Sequence, residues 1–243
     1  MRIVGIIPAR WASRRFPGKP AVTIADVPMI QRVWEAASQS ERLREVLVAT
    51  DDERIFSLCE SFGAKAVMTD PDHPSGTDRV AEVAADLTDD FVVNIQGDEP
   101  LIEPHVIETA IEALEGAPDA AMATVAHAME PEALSDPNRV KVVLDDQGRA
   151  LTFSRSLISA AAGAALPAPV NWQHVGLYVY RRAFLETFVR LPRSEAEGKE
   201  GLEQLRALEN GFTIQGAIVG GWKGLSVDVP ADIEAVEKVL RQR

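Results

Sequence analysis

Apolar residues in this chain recur with two different periods that take turns. Ile3 to Ile7 is a continuous apolar run, which predicts a strand buried on both faces. Met29, Ile30, Val33, Ala36 and Ala37 then return at helical spacing. "VLVAT" (46–50) predicts a second strand, and Ile55, Leu58, Cys59 and Phe62 mark a helix that Gly63 closes. "AKAVMT" (64–69) reads as a third strand, with Thr77 placed to cap a helix carrying Val80, Val83 and Leu87. "FVVNIQGDEP" (91–100) is a fourth strand running into a loop, and Pro104 suits the first turn of the next helix.

The second half is less regular. Residues 140–155 predict a hairpin that turns near Asp146, Gln147 and Gly148, and the small-residue stretch 160–170 reads as a loop. "VGLYVYRRAFL" (175–185) passes from strand to helix. Helices are expected over 202–211 and 230–240, with a strand over 213–219 between them. No internal repeat or linker interrupts the chain, so the pattern predicts one domain, 1–243, with a hairpin-bearing extension.

Strands alternating with helices imply an α/β fold: a mostly parallel sheet covered by helices. In such sheets ligands sit beyond the carboxyl ends of the strands. The loop after Ile7 and the loop at Gln96-Gly97-Asp98 both start at such ends, so they are expected to face one site.

Composition narrows the ligand. The 243 residues are 46% hydrophobic and 26% charged, with a net charge of -12. That acidity argues against nucleic-acid and membrane-surface partners, which want a basic face. Cys59 is the only cysteine, so neither a disulfide framework nor a cysteine metal cluster is available. The apolar run at the N-terminus is short and no 18-residue apolar stretch occurs, so a soluble cytoplasmic protein is expected.

Against this background, "IPARWASRRFPGKP" (7–20) is anomalous. The first 25 residues hold five basic side chains and no acidic one. The stretch has only Gly18 and lacks the G-x-x-x-x-G-K-[ST] spacing, so any grip on phosphate must come from side chains rather than from a glycine-rich cradle. The competing reading is a solvated arginine cluster. In "NIQGDEP", Asp98 ends an apolar strand beside Gly97, where a ligand can approach closely. It reads either as a Mg²⁺ ligand or as a turn aspartate. Asp228, in "SVDVPADIEAV", reads either as a second metal ligand or as an ordinary helix N-cap.

The order of these pieces is more specific than any one of them. "IIPARWASRRFPGKP", "VATDD", "DHPSGTDR", "NIQGDEP", "VKVVLD", "FSR", "HVGLYVYRRAFL", "LEQLRALENG" and "VDVPADIE" run in register along almost the whole chain. Together they resemble the 3-deoxy-manno-octulosonate (Kdo) cytidylyltransferases, or CMP-Kdo synthetases. The resemblance implies a Rossmann-like nucleotidyltransferase fold of the glycosyltransferase-A type. It also implies a homodimer, with residues 130–185 carrying the dimerisation hairpin and acceptor-side elements. The implied reaction is CTP plus Kdo giving CMP-Kdo and pyrophosphate with Mg²⁺, for lipopolysaccharide or capsule synthesis.

Carried onto matching positions, the resemblance implies that Arg10, Arg15 and Lys19 grip the triphosphate and that Asp98 and Asp228 hold metal. Pro8, Ala9, Ser75, Gly76, Arg79 and Gln96 would enclose the nucleotide. Arg155, His174, Tyr178, Glu203 and Gln204 would line the sugar-acid pocket. Bland readings stand beside some of these: a structural His174, one of Tyr178 and Tyr180 in the core, and Glu203 paired with Arg206 on a solvated helix face.

The chain also departs from the family. After "FSR" the family continues I-P-[aromatic]-x-R-D, whereas here "SLISAAAGAALPAPVNWQ" follows Arg155. Arg14 and Ala196 are milder differences. The altered segment leaves a second reading, in which CTP activates another 2-keto sugar acid such as 8-amino-Kdo or a sialic-type acid. A third reading is a non-catalytic nucleotide-binding member.

Overall fold

The computed structural model describes residues 1–12, 16–159 and 170–242. In chain order the first elements are β1 (Ile3–Ala9), a 3-10 turn (Lys19–Ala21), β2 (Thr23–Ile24), β3 (Val27–Pro28) and α1 (Met29–Ser38). There follow β4 (Glu45–Thr50), α2 (Glu53–Ser61), β5 (Lys65–Met68), α3 (Gly76–Ala85), β6 (Phe91–Ile95) and α4 (Pro104–Glu115). Next come β7 (Met122–His127), a 3-10 turn (Pro131–Ser135), β8 (Lys141–Leu144), β9 (Ala150–Ser154) and β10 (Trp172–Arg181). The chain ends with α5 (Arg182–Phe188), α6 (Glu195–Glu200), α7 (Gln204–Glu209), β11 (Ile214–Ile218) and α8 (Asp232–Leu240).

Two compact units emerge. The first comprises Met1–Glu108, Arg181–Val189 and Lys223–Arg243. Its parallel sheet runs β6-β1-β4-β5, with Val4 opposite both Val92 and Glu45. Strands covered on both faces must be apolar throughout, which is why Val4, Ile6, Ile7, Leu47, Val48, Val92 and Val93 are all buried. The helical periods do the covering: α1 buries Met29, Ile30, Val33 and Ala37, and α2 buries Ile55 and Cys59. Ile24, Met29, Leu101, Val227 and Val236 form one apolar cluster that ties α8 and the segment before it to the start of α1. Each such side chain contributes about 1.5–3 kcal/mol when fully buried. That cluster therefore fixes the backbone around Asp228.

The second unit comprises Thr109–Tyr180 and Arg190–Trp222. Here β7 is parallel to β11 and antiparallel to β10, while β8 and β9 form the expected hairpin and β8 pairs with β10. The ladder between β10 and β7 slips between Val175 and Tyr178. The Thr124 hydroxyl lies at this irregularity and donates to Leu177 O at 2.8 Å.

Several boundaries differ from the sequence reading. Ser75, not Thr77, caps α3: its Oγ accepts from Asp78 N at 3.2 Å. The Thr77 hydroxyl instead receives Asn94 Nδ2 at 3.1 Å. Helix α8 begins at Asp232 rather than Pro230. Strands β2, β3 and β7 and helix α6 are absent from the sequence reading, and the strand that opens the 175–185 segment begins earlier, at Trp172. Arg14, Arg15 and residues 160–169 of the loop expected over 160–170 lie outside the described residues. Among the described residues no helix is long and apolar enough to cross a membrane.

Candidate active site

Within the first unit, a cleft of about 440 Å³ opens beyond the carboxyl ends of β1 and β6. Its wall includes Pro8, Ala9 and Arg10 from the end of β1, Lys19 from the 3-10 turn, and Ser75, Gly76 and Arg79 from the start of α3. Gln96, Gly97, Asp98 and Asp228 complete the polar lining. All the described residues expected at the nucleotide and the metal thus meet in one place. Sequence reasoning missed Pro20 and Met29, which also line it, as does His73, which reads from the sequence as a loop residue with no ligand. For His73 a signal existed, since it lies two residues before Ser75.

Glycine backbone in the cleft wall lies close against Pro8. A Cβ added at Gly97 would come within 3.3 Å of Pro8 O, and one at Gly76 within 3.3 Å of the Pro8 ring. Both glycines are therefore needed for approach rather than for an unusual φ.

Lys19 is aimed by the turn before it. Gly18 adopts φ 72, a left-handed conformation that costs glycine little, and its N–H donates to Trp11 O at 2.9 Å. Lys19 then reaches inward, and its Nζ donates to Asp98 Oδ2 at 2.6 Å and to Val227 O at 3.0 Å. One cation thus links the loop after β6 to the segment before α8. Arg10 is exposed at the rim.

The α3 side of the cleft is more committed. The Ser75 hydroxyl donates to Asp78 Oδ2 at 2.6 Å while capping the helix. Arg79 is buried; its guanidinium donates to Asp51 Oδ2 at 2.9 Å and to the Thr69 hydroxyl. It lines the cleft as part of a fixed ion pair rather than as a solvated cation. Gln96 Nε2 donates to Asn94 Oδ1 at 3.3 Å.

Asp228 is not an N-cap. Ala231 occupies that position, and it is the Asp232 carboxylate that accepts from Asp228 N at 2.7 Å and Val229 N at 2.9 Å. Mg²⁺ keeps several waters and takes only one or two protein carboxylates together with phosphate oxygens. Asp98 and Asp228 on one cleft wall fit that demand. Among the described residues no group of three or more His, Cys, Asp or Glu forms a closed metal cage. Cys59 is buried, which pushes its thiol up to about 12 and leaves it unreactive.

The second unit holds the residues expected at the sugar acid. Burial pushes the His174 imidazole down to about 3. The Thr124 hydroxyl spends its proton on Leu177 O, so His174 Nε2, 3.0 Å from Thr124 Oγ1, is the donor in that contact. Nδ1 is then left as an acceptor. Tyr178 packs 5.5 Å from the His174 ring; its phenol is raised well above its ordinary range by burial and by the Glu203 carboxylate. Tyr178 and Tyr180 are both buried with rings 6.0 Å apart. Gln204 is 2% exposed, and its Nε2 meets no acceptor among the described residues. A buried donor left so costs about 1–3 kcal/mol unless a ligand supplies the acceptor.

Arg155 is less available. Its Nε donates to Glu200 O at 2.7 Å and its Nη1 to Pro137 O at 3.1 Å. Arg206 forms a two-point pair with Glu197, at 2.8 and 2.6 Å. Glu203 precedes α7 at its N-cap position.

Comparison with known proteins bears on the fold and the family. The family model described as Cytidylyltransferase matches residues 4–214. A 3-deoxy-manno-octulosonate cytidylyltransferase of Syntrophobacter fumaroxidans is 49% identical, over 100% of this chain and 98% of that protein. One from Solibacter usitatus is 46% identical, over 99% and 95%. A solved structure of CMP:2-keto-3-deoxy-manno-octonic acid synthetase complexed with CTP superposes with a TM-score of 0.92 at 41% identity, covering 100% of this chain and 99% of that one. The fold is thus the Rossmann-like, glycosyltransferase-A type that the motif order implied. With a family model matching most of the chain and full-length relatives at 46–49% identity, the chain belongs to the 3-deoxy-manno-octulosonate cytidylyltransferase family.

Proposed function

We propose that this protein transfers the cytidylyl group of CTP to the anomeric hydroxyl of Kdo. The acceptor oxygen forms a bond to the α-phosphorus, the bond from that phosphorus to the bridging oxygen breaks, and pyrophosphate leaves. The observation that carries the reading is the meeting of Lys19, Asp98 and Asp228 in one cleft beside Arg10. Such chemistry is mostly positioning and charge stabilisation, so a nucleophilic side chain is not required.

Lys19 and Arg10, with Arg15, would grip the triphosphate as it gains charge on the leaving side. Pro8, Ala9, Ser75, Gly76, Arg79 and Gln96 would enclose the nucleoside. Asp98 and Asp228 would hold Mg²⁺, which when bound neutralises phosphate charge and acidifies the attacking hydroxyl. In the second unit, the Gln204 amide would donate to the acid, and His174 Nδ1 would accept from a sugar hydroxyl. Synthesis in the cytoplasm, feeding lipopolysaccharide or capsule, fits the substrates. A homodimer through the β8–β9 hairpin fits the exposure of Leu151 at 60% and Leu157 at 53%.

One observation favours a different acceptor: Arg155 is largely spent on backbone carbonyls, and no arginine or aspartate follows it before Asn171. Pyrophosphate release from CTP and Mg²⁺, compared over Kdo, 8-amino-Kdo and sialic acid, separates the readings. Turnover with Kdo above the others is expected. Turnover only with another acid would move the acceptor, and none with any acid would leave a nucleotide-binding protein.

A further inference from the structure

Next to Asp98 stands a second carboxylate that the cleft does not use. Glu99 is 8% exposed and is not part of the cleft wall. A carboxylate withdrawn from water needs donors. The Ser226 hydroxyl supplies one to Glu99 Oε1. Around that bond the two segments are tied again: Val227 N donates to Asp98 O at 2.9 Å, and Lys19 Nζ spans Val227 O at 3.0 Å and Asp98 Oδ2 at 2.6 Å. Asp98 directly precedes Glu99, and Asp228 follows Ser226 by two residues. The side-chain bond between Glu99 and Ser226 therefore stands behind both carboxylates that face the cleft.

We infer that Glu99 is a positioning residue: through Ser226 it fixes the spacing of Asp98 and Asp228 and so sets the affinity of that pair for a divalent cation. The inference rests on the reading of Asp98 and Asp228 as metal ligands. Glu99 itself touches neither metal nor substrate. Partners that orient metal ligands from behind typically cost 10- to 100-fold in affinity when removed.

The test is a titration of Mn²⁺ alone into the nucleotide-free protein, followed by the electron paramagnetic resonance of the free ion. Glu99→Ala is expected to weaken Mn²⁺ binding by about tenfold or more. Ser226→Ala should weaken it in the same direction, and the double variant should be no worse than Glu99→Ala, because both remove one shared contact. Glu99→Gln, whose amide oxygen still accepts from Ser226, should recover most of the affinity. Unchanged Mn²⁺ binding in Ser226→Ala and Glu99→Ala, alongside its loss in Asp98→Asn, would overturn the inference and leave the ligand reading standing. Undiminished binding in Asp98→Asn would instead remove the ligand reading and the inference with it. Should Glu99→Ala fail to fold, Ser226→Ala decides: wild-type affinity there rejects the inference.

Discussion

An ammonium shared between a carboxylate and a peptide carbonyl has two duties, and Lys19 shows both. It bridges Asp98 and Val227, and it faces the space a triphosphate would fill. Lys19→Ala is expected to lower kcat/KM for CTP by about 10² or more, the usual loss when one pre-aimed charge-stabilising donor is removed. Lys19→Arg should rescue little, since a planar fork does not replace a compact cation between these two acceptors. His174 makes a different prediction. Its folded value of about 3 lies below the ordinary 6.5 of an unfolded chain, so the unfolded state binds more protons between those pH values. The stability it contributes is full above pH 6.5 and is lost as pH falls toward 3. Urea unfolding at pH 7 and pH 4 should therefore show a smaller acid-induced loss in His174→Gln than in the wild type. Equal losses would mean that the imidazole is not held neutral. The residue types at the site were legible because charge stood out against an acidic background. Their commitments were not: nothing in "SGTDR" reveals that Arg79 is bound by Asp51 and Thr69, which arrive from other elements.

At the scale of elements, the start of α3 joins local propensity to the site. Ser75 caps the helix while lining the cleft, so Ser75→Ala should cost about 1 kcal/mol of stability. Thr77→Val, which keeps the cap, tests the other candidate; a cost at Ser75 no larger than that of a neutral surface change would contradict the cap. Chemical unfolding of both variants gives the comparison. The strands of the first unit were readable because apolar runs in a doubly covered parallel sheet are continuous. β7 was not, because Met122–His127 mixes small and polar residues, and its burial is conferred by its partners β10 and β11. Helix α6 carried a usable signal: Ser194 and Glu197 form a capping box, with each side chain reaching the other's backbone. A helix of six residues has too short an apolar period to be seen without it.

For the whole molecule, the exposed leucines on and just beyond β9 are the surface that the proposed homodimer would cover. Leu151→Asp should convert a homodimer to a monomer, read by sedimentation velocity, while leaving each chain folded. A dimer that survives the change would place the interface elsewhere, and a wild-type monomer would end the proposal. If the first unit holds the nucleotide and the second the acceptor, as proposed, the two differ in how freely they can change. Under the nucleotide cleft, Gly97 and Gly76 are held against Pro8 so tightly that a single added carbon has no room to spare. What meets an added carbon there is the Pro8 carbonyl and ring with the Ile7 side chain, so the glycines leave little latitude for substitution. On the proposed function, a change of acceptor is therefore expected to come more readily from substitutions in the second unit than from this floor.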